Sequence, residues 1–272
     1  MPLPPILALT LPLAGFAYTT TANNALVRMW CGQRPPSYTR PPRYRTSLIC
    51  PAYNESRYIG LLLNSAMNQT ESFSEIIVAN CSDEEDQGQT ASIAMDYGAR
   101  VVQVPKGNIS ISRNTGAHHA SGDILVFADA DMMLCHEFLE TCVSALEQGY
   151  AMVHPRRVMH DSILWNTLLW GVQNLRPKTM PGGLIAIWSS AFYEAGQYDE
   201  SLYMGHPVGE DREFGVRVGQ TFGWQNVAVL PVLIGSSARR FAKYGLLGGK
   251  HQHLETAVRS KIARISDMRD LT

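Results

Sequence analysis

The stretch "SGDILVFADADMML", residues 121–134, runs a strongly apolar segment from Asp123 to Ala128 straight into Asp129, Ala130 and Asp131. In extended chain, residues two apart point the same way. The Asp129 and Asp131 carboxylates can therefore converge on one hard cation, or on a cation and a ribose hydroxyl. A divalent ion held there, manganese or magnesium, can clamp a diphosphate and neutralise it as it departs. Taken alone the pair is weak evidence, because acidic turns after strands are common and usually only solvated. A second acidic group, Glu210, Asp211 and Glu213 in "GEDREF", falls at an expected helix start, where carboxylates also serve as partners of the helix dipole. A lone histidine, His206, precedes it, and a histidine in a loop is usually neither ligand nor catalyst.

Such groups need rigid elements to aim them, and the chain supplies the pattern. From Ser47 it alternates short apolar strands with helical periodicity, the sequence form of a layered α/β sheet. "TSLIC" is a strand, followed by a helix with Ile59, Leu62, Leu63 and Ala66 on one face. "EIIVA" (75–79) and "RVVQV" are the next strands, separated by a helix from about Gln89 that closes at Gly98, the usual glycine stop. A helix from about Ser110 to Ser121, ending on Gly122, delivers the chain to the strand before Asp129. Phe138, Leu139, Cys142, Val143 and Leu146 then form one apolar helix face with Gly149 at its stop. Beyond Pro155 the pattern loosens: "SILWNTLLWGVQ" reads as an apolar helix, "GGLIAIW" (182–188) as a strand, "SSAFYEAGQYDE" as a short helix and turn, and "GEDREFGVRVGQ" as a helix from near Glu210. In an open α/β sheet, ligands sit outside the carboxyl ends of the strands, which is where Asp129 and Asp131 fall.

Composition bounds the rest. The 272 residues are 45% hydrophobic with a formal net charge of -1, so a sizeable core is available and the basic field needed for nucleic acid is missing. Five cysteines, Cys31, Cys50, Cys81, Cys135 and Cys142, show no CxxC spacing, which indicates neither a zinc site nor a disulfide framework and suits reduced thiols in the cytosol. Residues 3 to 18 carry no charge and are followed by Arg28, Arg34, Arg40, Arg43 and Arg45. Residues 1–25 are accordingly expected to form an N-terminal membrane anchor or an apolar helix, with the arginines keeping the bulk of the chain on the cytoplasmic side of the cell membrane. Residues 26–45 read as a Pro/Arg-rich linker, 46–250 as the folded domain and 251–272 as a helical tail.

Five motifs in order carry a family resemblance. "SLICPAYNES", "EIIVANCSDEEDQGQTASIA", "SRNTGAHHASGDILVFADAD" and "GGLIAIWSSAFYEAGQYDE" followed by "GEDREFGVRV" together resemble the inverting family 2 glycosyltransferases of the GT-A fold, over residues 47 to about 245. The resemblance implies a Rossmann-like nucleotide-sugar-binding α/β fold, with a mixed, mostly parallel sheet flanked by helices. It also implies a hexosyltransferase that uses a nucleotide-diphosphate sugar donor and a glycan, lipid-phosphate or protein acceptor. On that footing Pro51, Ala52, Tyr53 and Glu55 form the wall that receives the nucleobase. Asn80 stands where the family carries aspartate, and its amide can donate to and accept from a base edge. Arg113 counters phosphate charge, with Lys106 a weaker candidate, and Asp129 and Asp131 hold the metal. Asp211, second residue of the Glu-Asp motif, is the expected general base for the acceptor hydroxyl, with Glu210 the runner-up. Gly182 and Gly183 let the acceptor-side backbone approach the donor sugar. Arg239, Arg240 and Lys243 resemble a basic segment that can close over the diphosphate, or equally a basic face against anionic lipid. Two rivals remain. A sugar-1-phosphate nucleotidyltransferase would want a glycine-rich basic loop after the first strand, where this chain has "PAYNESRYIG". A non-catalytic nucleotide-sugar-binding scaffold would have no need of Asp211.

Overall fold

A computed structural model describes residues 43–162, 183–202 and 209–239. The proposed anchor at 1–25, most of the linker, most of the Trp-rich segment from Ser162, Gly182, His206, Arg240, Lys243 and the 251–272 tail lie outside these residues.

One eight-stranded mixed sheet organises the chain. Its strands are β1 (Thr46–Ala52), β2 (Glu75–Asn80), β3 (Arg100–Gln103), β4 (Ile124–Ala128), β5 (Met132–Met133), β6 (Met152–Met159), β7 (Leu184–Trp188) and β8 (Val227–Ser236), in the order β3-β2-β1-β4-β7-β6-β8-β5. The half from β3 to β4 is parallel, β7 runs antiparallel to both β4 and β6, and β6 pairs parallel with β8. Among the described residues the helices are α1 (Ile59–Met67), α2 (Gln89–Asp96), α3 (Ile109–His119), α4 (Phe138–Glu147), α5 (Ser189–Glu194) and α6 (Glu210–Phe222). The α/β reading holds, and the expected strands and helices that lie within the described residues fall within a few residues of their expected bounds.

Strand side chains divide by the two-residue period of extended chain. Leu48, Cys50, Ile124, Val126 and Ala128 join Leu62, Leu63, Phe138 and Leu139 in one core, while Ile49, Leu125 and Phe127 face Ile187, Phe192, Tyr198 and Phe214 in the other. The central strands are thus buried on both faces, which explains why β4 reads as an unbroken apolar run. Truncating a side chain such as the fully buried Phe214 to alanine would cost about 3–5 kcal/mol.

Two local readings need revision. Gly98 and Gly149 sit at positive φ (74° and 102°) after their helices, as a C-terminal glycine stop requires. Gly122 does not have that role: α3 ends at His119, and Gly122 lies against β1, where an added Cβ would fall 2.8 Å from the Ser47 backbone nitrogen. Strands β6 and β8 account for the loosened pattern past residue 150. Pro155 within β6 and Pro231 within β8 each lack a donor, and the register shifts between Pro155 and Arg156. This irregularity hides both strands from a periodicity test.

Candidate active site

The site forms at the carboxyl end of β4, where the parallel half of the sheet meets antiparallel β7. Asp129 follows β4 directly, and its backbone N–H donates to the Gly183 carbonyl at 3.1 Å. Gly183 has φ 87°, and a Cβ there would lie 2.8 Å from Asp129 Cγ. Only glycine at 183 therefore leaves the Asp129 carboxylate its place. This is a tighter role than the donor-sugar approach expected of that glycine.

Asp129 is part-buried and ion-paired. Arg113, on α3, donates from Nη2 to Asp129 Oδ1 at 2.8 Å and from Nη1 to Glu210 Oε1 at 2.9 Å. Its guanidinium lies 5.0 Å from the centroid of the Tyr198 ring, and its side chain is 1% exposed. Burial alone would lower the Arg113 pKa; the charge of Asp129, with Tyr198, Glu210 and Asp211, more than offsets it and holds the guanidinium protonated. The helix can come this deep because Gly116, one turn on, faces β1, where a Cβ would meet Ile49 Cγ2 at 2.5 Å. Arg113 Nε is buried with no hydrogen-bond partner, a cost of about 1–3 kcal/mol borne for the two ion pairs. Arg113, expected to counter a phosphate, is thus committed to two carboxylates of its own chain.

The residue after it completes the framework. Asn114 accepts from the Tyr198 backbone N–H at 3.0 Å and donates to the Tyr198 carbonyl at 2.9 Å, pairing with that backbone as another strand would. Tyr198, clasped this way, forms the floor under Arg113.

Asp131 has a different cation. Arg239, just past β8, donates from Nε to Asp131 Oδ2 at 3.1 Å and grips Glu55 through two nitrogens at 2.7 and 2.5 Å. Its guanidinium lies 4.5 Å from the Tyr58 ring centroid. Burial pushes the Glu55 carboxyl above its ordinary value, against the pull of Arg239, with Asp131 and Asp129 adding to the rise. Glu55, expected on the nucleobase wall, is instead the anchor of Arg239. The Ser237 N–H donates to the Asp131 carbonyl at 3.2 Å, tying the end of β8 to the acidic turn.

The two acidic groups are brought together. Glu210 and Asp211 open α6 behind Gly209, which has φ 74°. Glu210 gives an oxygen to Arg113, whereas Asp211 Oδ1 accepts, among the described residues, only a local bond, from the Arg212 N–H at 2.8 Å. Glu213 belongs to neither group, because it pairs with Arg217 one turn on, at 2.6 Å.

The expected base-binding wall is only partly built as expected. Tyr53 is exposed at 43% with Lys106 Nζ 5.0 Å from its ring centroid. Its hydroxyl donates to Asp83 at 2.5 Å, and Lys106 meets the same carboxylate at 3.1 Å. These bonds, with one from Asn54, hold Asp83 well below the usual carboxylate range. Pro51 and Ala52 are buried in β1 and contribute backbone rather than surface. Asn80 is 3% exposed, its amide donates to Gln103 Oε1 at 3.3 Å, and its oxygen accepts from the Ser82 N–H and hydroxyl at 3.3 and 2.7 Å. An aspartate could not donate to Gln103, so the amide suits the turn that it holds. Sequence reasoning missed Asp83, Tyr58 and the Glu55–Arg239 pair; the only local sign of the first was its N-cap position before a short 3₁₀ turn.

Asp129 and Asp131 are hard oxygen donors two residues apart. Among the described residues, no group of three or more His, Cys, Asp or Glu gathers to hold a metal by itself. The donor set fits a cation held by two carboxylates and completed by phosphate oxygens and water, as magnesium and manganese commonly are. The four described cysteines are free, and burial pushes the Cys135 thiol up to about 12, which makes it inert.

The chain has relatives in sequence and in fold. Residues 47–179 match the family model described as glycosyl transferase family 2. A 4,4'-diaponeurosporenoate glycosyltransferase of Staphylococcus haemolyticus is 33% identical over 120 residues, 42% of this chain and 30% of its own length. Glycosyltransferase GlyA of Streptococcus pneumoniae is 28% identical over 99 residues, 36% of this chain and 14% of its own length. The chain thus spans less than a third of either relative. Among solved structures, a glucosyl-3-phosphoglycerate synthase of Mycobacterium tuberculosis, in complex with Mn2+, UDP and glucosyl-3-phosphoglycerate, superposes with a TM-score of 0.55 at 20% identity, covering 80% of both chains. GalNAc-T7 with UDP, GalNAc and Mn2+ gives 0.56 at 18% identity, over 71% of this chain and 43% of that one. The chain carries a glycosyl transferase family 2 domain on the GT-A fold.

Proposed function

We propose that this domain transfers a sugar, with inversion, from a nucleoside diphosphate sugar to a lipid-linked, polysaccharide or protein-linked acceptor. One observation carries the reading: Arg113 joins Asp129 to Glu210, so the carboxylates expected on the donor side and those expected on the acceptor side share one site. Asp129 and Asp131 would hold a divalent cation against the donor diphosphate. When bound, that ion would neutralise charge on the departing diphosphate. Tyr53 offers an exposed aromatic face to the base.

Inversion requires the acceptor oxygen to approach the anomeric carbon from the side opposite the diphosphate. A base must take its proton as the new bond forms and the sugar–phosphate bond breaks. Asp211 suits that task better than Glu210. Glu210 Oε1 already accepts from Arg113, whereas among the described residues Asp211 is not bonded to Arg113 and keeps its carboxylate for an acceptor hydroxyl. Residues 1–25 are read as holding the domain at the cytoplasmic membrane face, on the strength of their uncharged run and the arginines behind it. Among the described residues no helix is long and apolar enough to cross a membrane.

The test is a panel of UDP-, GDP- and dTDP-sugars incubated with the purified chain and manganese, following release of nucleoside diphosphate. Slow hydrolysis identifies the donor even without an acceptor. Binding without any turnover, with or without candidate acceptors, would favour a scaffold. Release of pyrophosphate from a nucleoside triphosphate and a sugar phosphate would favour a nucleotidyltransferase.

A further inference from the structure

We propose that Arg113 is a positioning residue that couples the two sides of the site: the charge on Glu210, at the start of α6, sets how firmly Asp129 can hold a divalent cation. The inference rests on the donor reading above and assigns Arg113 a role other than phosphate contact.

An arginine kept for an incoming phosphate presents an open fork. The fork of Arg113 is closed: one outer nitrogen is on Asp129, the other on Glu210, and the ring of Tyr198 lies beneath. With 1% of the side chain exposed, it cannot leave for a ligand without breaking both part-buried ion pairs. Asn114 fixes Tyr198 by the paired bonds to its backbone, so the floor cannot shift either. Among the described residues, the carboxylates that bear most on the guanidinium fall on the two sides: Asp129 on the donor, Glu210 and Asp211 on the acceptor.

One positive charge is therefore divided between two carboxylates. A cation arriving at Asp129 competes with Arg113 for the same negative charge, and the guanidinium can relax towards Glu210 as the cation binds. Neutralising Glu210 removes that refuge. Arg113 then stays on Asp129, and the cation binds less well. By linkage, donor binding at Asp129 tightens Arg113 on Glu210 and firms the start of α6, where Asp211 awaits the acceptor.

The experiment measures the affinity of UDP with Mn2+ for the full chain by calorimetry, together with the melting temperature. Glu210→Gln keeps the shape of the side chain and removes its charge; Glu213→Gln removes a charge from the same turn of α6 but from a residue paired with Arg217. Affinity should fall roughly threefold to tenfold in Glu210→Gln, near the low end of common site-to-site couplings, and stay within about twofold in Glu213→Gln. Repeating both in an Arg113→Lys background should shrink the Glu210 effect, since a single ammonium cannot span both carboxylates as the planar fork does. Should Arg113→Lys fail to fold, the contrast between Glu210 and Glu213 still decides. Unchanged affinity in Glu210→Gln, or an equal fall in both variants, overturns the coupling and leaves Arg113 a purely structural residue. If the unaltered chain binds neither UDP nor GDP with Mn2+, the donor reading fails and takes the inference with it.

Discussion

Replacing Gly183 by alanine tests the placement of Asp129 most directly. At φ 87° the alanine pays the left-handed penalty of about 1–2 kcal/mol. Its Cβ would lie 2.8 Å from Asp129 Cγ, inside the ~3.5–4.0 Å of ordinary carbon contacts, so the carboxylate must retreat by roughly 1 Å. Asp129 Oδ1 is held by Arg113 at 2.8 Å, and a shift of that size carries the pair beyond hydrogen-bond range. Losing one charge-assisted bond adds about 1.5–3 kcal/mol, for a total of about 2.5–5 kcal/mol. The displaced carboxylate should also lower the affinity for UDP with Mn2+ by about tenfold or more, the equivalent of ~1.4 kcal/mol per decade. Gly98→Ala is the matched control, with φ 74° and nothing within 4 Å of its added Cβ. It should show the backbone penalty in urea unfolding and bind nucleotide normally. If Gly183→Ala binds UDP with Mn2+ as well as Gly98→Ala does, Asp129 is not the cation ligand this packing implies.

Asp211→Asn should slow transfer by about 10²–10⁴-fold while nucleotide affinity barely changes. A residue that only meets the helix dipole would instead cost about 0.5–2 kcal/mol of stability and leave turnover nearly intact. Nucleotide binding should depend on manganese through Asp129 and Asp131, and equal UDP affinity in manganese and in excess chelator would contradict it. Glu75 gives a pH prediction. Burial pushes its carboxyl up, but bonds from Ser47 and Ser121 outweigh this and leave it below its ordinary value. A depressed carboxyl contributes stability above its unfolded pKa of about 4.3 and loses it as pH falls through the folded value. The advantage of the native chain over Glu75→Gln in urea unfolding should therefore be present at about pH 7 and shrink as the pH falls below the unfolded value and through the lowered folded one; a gap that does not change with pH would refute it.

The sequence alone determined what depends on neighbours along the chain. The short apolar runs of β1, β2 and β4, the helical period in α1 and α4, the glycine stops at Gly98 and Gly149, and the Asp129/Asp131 spacing are all local, because they follow from residue types and backbone geometry within a few residues. Where two prolines broke that local signal, β6 and β8 went unread. Only the tertiary structure decided which charges meet. Arg113 and Glu210 lie 97 residues apart, Arg239 and Asp131 108, and Arg239 and Glu55 184, and no pattern along the chain encodes those pairings. They follow from the strand order, which sets β1, β4 and β7 side by side and brings the β8–β5 edge back over the acidic turn. The inward turn of Asn80 and the glycine demanded at 183 arise the same way, since burial and clash are properties of the neighbours that folding supplies.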